Sequence, residues 1–76
     1  MRYRTAAPEN RLRVARAELR VGQYDVSGAI GISRDRYWRI ENSYAIPTER
    51  ERAALSAFFG VAEGDLFPER RSAVAS

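Results

Sequence analysis

The sequence predicts an all-α fold, a compact bundle of five short helices in one domain. Three observations carry that expectation. Apolar residues recur at the three- and four-residue spacing of helices with one inward face. Gly31 and Gly60 stand directly after two such stretches, where a helix exits most easily through a left-handed residue. Ser33 and Thr48 stand where a hydroxyl can accept an orphan N–H of the helix that follows.

Taken in order, the first helix is expected over residues 8–20. Pro8 fits an early helical position, Glu9 the first turn, and Leu12, Ala15 and Leu19 the inward stripe. The opposite side, with Arg11, Arg13, Arg16 and Arg20, reads as a solvated basic face. The second helix is expected over residues 23–30, with Val26, Ala29 and Ile30 against the domain, and the third from Ser33 or Arg34 to about residue 42. In the third, Tyr37 and Ile40 turn inward and leave Arg34, Asp35, Arg36 and Arg39 outward. Neither is long enough to be stable without packing. After a loop over residues 43–47, Thr48 and Glu51 fit a capping box that opens a fourth helix, ending at Phe59. Its inward stripe is Ala54, Leu55, Phe58 and Phe59. A short last helix over about residues 62–67 is closed by Pro68. The expected core is Leu12, Ile30, Ile40, Leu55, Phe59 and Leu66. Residues 1–7, with Arg2, Tyr3 and Arg4, read as a flexible basic arm, residues 8–68 as the domain and residues 69–76 as a disordered tail.

Composition narrows the function. The chain has 76 residues, 45% of them apolar, and neither cysteine nor histidine. Disulfides, thiolate chemistry, imidazole catalysis and ordinary zinc sites are thereby excluded, and no metal or cofactor is expected. All 13 basic residues are arginine against 10 acids, for a formal charge of +3 and a pI near 10.0. That balance suits a polyanionic partner, and a planar guanidinium can bond phosphate or a guanine edge in two places at once. Genomic composition bias toward Arg and Ala accounts for the same count. No apolar run reaches the length of a membrane span and no charged-then-apolar leader is seen, so no membrane contact and a cytoplasmic location are expected. A core this small predicts association with a second copy, with Val61, Leu66 and Phe67 as the expected two-fold interface.

Residues 22–44 carry the functional signal: a short helix, a Gly-centred turn and a second short helix with arginines outward, which is the sequence form of a DNA-reading helix-turn-helix. Further matches lie at Arg16, Gln23, Ile30-Gly31-Ile32-Ser33, Arg39-Ile40-Glu41-Asn42, Pro47-Thr48, Phe59-Gly60-Val61 and Asp65-Leu66-Phe67. Over about residues 10–67 the chain thus resembles the phage-repressor and Cro-like helix-turn-helix family, the xenobiotic-response-element type. The resemblance implies a lambda-repressor-like bundle from a prokaryote or phage, with the third helix in the major groove of double-stranded DNA. By position it implies that Arg34, Asp35 and Arg39 face base edges, that Gln23 and Asn42 clamp phosphates, and that Arg16 and Glu41 form an ion pair tying the first helix to the third. Asp35 either accepts from cytosine or orients a neighbouring arginine. Arg36 fits a phosphate contact, and Tyr44 either adds another or packs on the loop. The chain departs from the family at Arg20, where the family usually has Gly, at Gly22, where it has Ser or Thr, at Ser27, where Ala is common, and at Ser43, where Gly is common. Trp38 stands where a small or polar residue is usual; it is either a partly buried packing residue or an exposed contact.

The leading expectation is a sequence-specific transcriptional regulator, a Cro-like repressor or controller, acting as a homodimer on a palindromic operator. The alternative is an antitoxin-like interaction protein that neutralises a small protein partner and autoregulates its own operon. An enzyme is disfavoured, since no His, Cys or Lys is present to act as base or activator.

Overall fold

Asn10 prepares the first helical turn: its Oδ1 accepts the Leu12 N–H at 3.0 Å, while its Nδ2 donates to the Ile40 carbonyl at 2.9 Å, across the domain. The computed structural model describes residues 9–68; the basic arm, Pro8 and the tail expected from the sequence lie outside them. Five helices follow in order: α1 (Leu12–Leu19), α2 (Gln23–Ile30), α3 (Arg34–Glu41), α4 (Glu49–Phe59) and α5 (Glu63–Leu66). There is no strand among the described residues, and none of their helices is long and apolar enough to cross a membrane.

The chain reverses where its local chemistry permits. Gly31 at φ +76° ends α2 and Gly60 at φ +68° ends α4, both in the left-handed region that favours glycine. Ser33 Oγ accepts the Arg36 N–H at 3.0 Å and so opens α3. Thr48 and Glu51 open α4 reciprocally: Thr48 Oγ1 accepts the Glu51 N–H at 3.0 Å, and Glu51 Oε1 accepts the Thr48 N–H at 2.8 Å. At α2 only half of such a box exists, because Gly22 has no side chain; Asp25 Oδ2 accepts its N–H at 2.8 Å.

α4 packs against α1, α2 and α5, and α2 packs against α3. Leu12, Val26, Tyr37, Ile40 and Leu55 are wholly buried at their convergence, closed below by Ile30, Phe59, Leu66 and Phe67. Each such side chain contributes roughly 1.5–3 kcal/mol of transfer free energy. The Arg11 N–H donates to the Leu66 carbonyl at 2.9 Å and fastens α5 to the start of α1.

Some expectations need correction. α1 starts at Leu12 rather than near Pro8, with Arg11 as its cap residue and the Asn10 side chain bonding the Leu12 N–H from the residue before it. Leu19 is 49% exposed; it shares the Leu12 stripe but lies about 10 Å further along the axis, past the edge of a small core. Ala29 is exposed and Ser27 takes the buried place on α2, its hydroxyl donating to the Tyr24 carbonyl at 3.3 Å. Of the expected two-fold interface, Leu66 and Phe67 are interior side chains of a single copy, and Val61 is half-buried against the same core. Residues already withdrawn from water in one chain offer little surface to a second.

Arg20 and Ser43 are the non-glycine residues with positive φ, +60° and +67°, among those described. Both follow a helix, and both stand where the resembled family prefers glycine. A left-handed conformation costs an L-residue on the order of 1–2 kcal/mol. Arg20 is exposed, so Arg20→Gly removes that strain with little loss of packing and, net of added chain entropy, is expected to stabilise by about 1 kcal/mol. In thermal denaturation this raises Tm by about 4–8 °C for a domain of this size. An unchanged or lower Tm contradicts the left-handed exit.

Candidate nucleic-acid interface

α3 ends in a carboxylate that is unfavourable by itself. Glu41 occupies the last helical residue, at the negative end of the helix dipole, and its side chain is only 1% exposed. Two other helices compensate it. Arg16 of α1 meets it with a fork, Nε donating to Oε1 at 3.1 Å and Nη2 to Oε2 at 2.9 Å. Gln23 Nε2, from the first turn of α2, donates to Oε1 at 3.2 Å, and Arg13 Nε to Oε2 at 3.3 Å. Arg16 Nη1 also donates to the Val21 carbonyl at 3.2 Å, bracing the α1–α2 turn. Burial pushes Glu41 up, but the hydrogen bonds from Arg16 and Gln23 and the Arg16 charge outweigh it and hold the carboxyl below its usual range. The bond to Glu41 raises Arg16, against the opposing effect of burial. Tyr37 lies in the field of the same pair: burial, then the Glu41 charge, push its phenol up.

A second ion pair anchors the side of α3 that faces α4. Arg36 Nε donates to Glu51 Oε2 at 3.0 Å, and its Nη2 donates to Glu51 Oε1 at 2.8 Å and to the Ile46 carbonyl at 3.2 Å. The Arg36 bonds hold Glu51 below the usual carboxylate range although burial opposes them. One buried carboxylate therefore closes the α4 capping box and grips α3 at once. Arg52 steadies the intervening loop, its Nη1 donating to the Pro47 carbonyl at 2.9 Å and its Nη2 lying 2.6 Å from Glu49 Oε1.

With those sides occupied, Arg34, Asp35, Trp38 and Arg39 point outward and are all exposed. The Arg34 guanidinium lies 4.6 Å from the Tyr24 ring centroid, a cation–π contact worth about 0.5–1 kcal/mol at an exposed site. Arg39 Nη2 is 2.9 Å from Asp35 Oδ2, one turn back, with both side chains more than half exposed; such a pair contributes a few tenths of a kcal/mol. Both guanidiniums are thus loosely oriented and cheaply released. Trp38 is 43% exposed and Tyr44 46% exposed, stacked with centroids 5.5 Å apart and planes 7° from parallel.

The structure brings Arg16, Glu41, Gln23 and Asn42 into one cluster, since Arg13 Nη2 donates to Asn42 Oδ1 at 2.7 Å and Asn42 Nδ2 donates to the Trp38 carbonyl at 2.9 Å. It gathers Arg34, Asp35, Arg39 and, through Trp38, Tyr44 on one surface. Arg36, expected at phosphate, is instead committed to Glu51. Gln23 bonds Glu41 in the part-buried cluster, and Asn42 bonds Arg13 and the Trp38 carbonyl at the surface. Arg13, read as a solvated charge, joins the Glu41 cluster; it stands three residues before Arg16 and so on the same side of α1, a signal present in the spacing. Nothing local in the sequence pairs Arg36 with Glu51, fifteen residues apart.

Glu41 and Glu51, lowered in the folded state, contribute stability that is present above the ordinary carboxylate value of 4.5 and lost as pH falls through their lower folded values. Glu41→Gln leaves Arg16 without its charge partner and is expected to cost on the order of 3 kcal/mol at neutral pH, with a shallower loss below pH 4.5. Urea titrations across pH check it; an unchanged acid limb contradicts the buried pair. No protein-family model matches the chain, and no curated protein matches it.

Proposed function

We propose that the protein is a sequence-specific DNA-binding transcriptional regulator, with α2, the Gly31 turn and α3 forming a helix-turn-helix and α3 reading the major groove. One observation supports this above the others: α3 is clamped through Glu41 and Arg36 by bidentate ion pairs whose carboxylates are buried, while Arg34 and Arg39 stand on its open side held only by weak contacts. An ordinary surface helix has no need of two such anchors. A reading helix does, because a bidentate contact to guanine O6 and N7 requires the guanidinium to arrive in register. The two arginines lie about 7.5 Å apart along the helix, a span of about two base-pair steps.

Asp35 fits an orienting role in the free protein and an acceptor role toward cytosine N4 in the complex. Phosphate contacts then come from the free N–H groups at the start of α2, beside Gln23, and from Tyr44. Gln23 and Asn42 act on DNA through the placement of α3. An eight-residue helix reads few base pairs, so the protein acts as a homodimer on a palindromic operator with its reading helices about 34 Å apart. Sedimentation of the protein with a selected palindromic duplex is expected to give two copies per site; a single copy contradicts the dimer.

The reading is tested by selecting bound sequences from random duplex DNA and titrating selected and scrambled duplexes at several salt concentrations. Arg34→Ala and Arg39→Ala are each expected to weaken the selected duplex by about 1–3 kcal/mol and to relax base preference at one position per half-site. Arg36→Ala is expected to lower Tm while leaving the salt slope unchanged, since its guanidinium serves Glu51. A fall in that slope of roughly one unit returns Arg36 to the phosphate backbone. Full discrimination by the Arg34 and Arg39 variants contradicts the reading.

A further inference from the structure

The stacked pair Trp38–Tyr44 lies outside the buried core, with both residues nearly half exposed. At about 100° per residue, Trp38 and Asp35 fall between Arg34 and Arg39 around α3, so the indole occupies the middle of the outward arc. Arg34 precedes it by four residues, one turn along the same stripe. The ring is also pre-oriented. Tyr44 covers one of its faces, and Tyr44 is itself tied to α3 by its N–H, which donates to the Arg39 carbonyl at 2.7 Å.

A rigid apolar edge between two arginines has one apolar partner in the major groove, the C5-methyl group of thymine; the other groups there are hydrogen-bond donors and acceptors. Charge complementarity favours a DNA duplex as the surface that brings this methyl group, since Arg34 and Arg39 flank the indole with cationic forks. We propose that the Trp38–Tyr44 stack is a specificity element that selects a 5-methyl pyrimidine beside the arginine-read bases. The inference rests on the reading of α3 as a DNA-binding helix and adds a base class to it. Trp38 contacts the methyl group, and Tyr44 is a positioning residue that fixes the indole.

Trp38 is the single tryptophan of the chain, so its emission reports contact directly. In a selected duplex, each thymine is replaced in turn by deoxyuridine, which removes the methyl group and keeps the hydrogen-bonding edge. Wild-type affinity is expected to fall about fourfold, the value of one buried methyl group, at one thymine per half-site, with Trp38 emission quenched on binding. Trp38→Ala is expected to bind thymine and deoxyuridine duplexes alike at that position. Tyr44→Leu, which also removes a phosphate contact and so weakens all duplexes alike, is expected to reduce the ratio of thymine to deoxyuridine affinity while keeping sequence selection by Arg34 and Arg39. Specific binding with no sensitivity to any deoxyuridine replacement, or with the sensitivity intact in Trp38→Ala, overturns this inference and leaves the DNA-binding reading standing. No binding to any duplex overturns both.

Discussion

The carboxylate of Glu41 is the constraint on which the rest of the molecule depends. It lies where a negative charge is least welcome, buried and at the negative end of α3. It is tolerable only while Arg16 of α1 and Gln23 of α2 are in place. α3 is too short to persist by itself, so its existence and its orientation have the same cause. A buried pair of this kind is poor evidence for net stability, and replacing it with apolar residues need not weaken the fold. Its contribution is geometric: three helices must meet at one point, at distances hydrogen bonds define.

The Arg36–Glu51 pair adds a second point of attachment. Two anchors restrain α3 against rolling, whereas one would act as a pivot. The contrast across this helix is the basis for the functional reading. Inward and lateral charges meet buried carboxylates in bidentate pairs; outward charges rest on an exposed ion pair and a cation–π contact whose replacement by a ligand costs little. Rigidity of the helix with availability of its outer side chains is what groove recognition demands.

Much of this architecture was legible in the sequence, for identifiable reasons. Gly31, Gly60, Ser33 and the Thr48–Glu51 box act within four residues of themselves, so their chemistry can be read without knowing the fold. Tyr37, Ile40, Leu55 and Phe59 were legible from helical spacing. Arg16 and Glu41 were paired through the family resemblance. What stayed hidden depends on how helices cross. Arg36 looks like any surface arginine until α4 brings Glu51 to it, and Leu66 and Phe67 look available to a partner until α5 folds back onto α1. Leu19 fails for the opposite reason: its angular position is right, but the core ends before the helix does. Trp38 packs on Tyr44 and stands nearly half in solvent, a partly buried position that helical spacing alone does not distinguish from full exposure.

The central claim is that a helix fixed through Glu41 and Glu51 presents its outer side to DNA. Titration of isotope-labelled protein with a selected duplex, followed by amide and indole NMR shifts, tests it most directly. The largest changes are expected at Arg34, Asp35, Trp38 and Arg39 and at the first amides of α2, with α4 and α5 little altered. Changes centred on the α2–α4 side, around Ala29, Ala57 and Phe58, with the outer residues of α3 unmoved, contradict it.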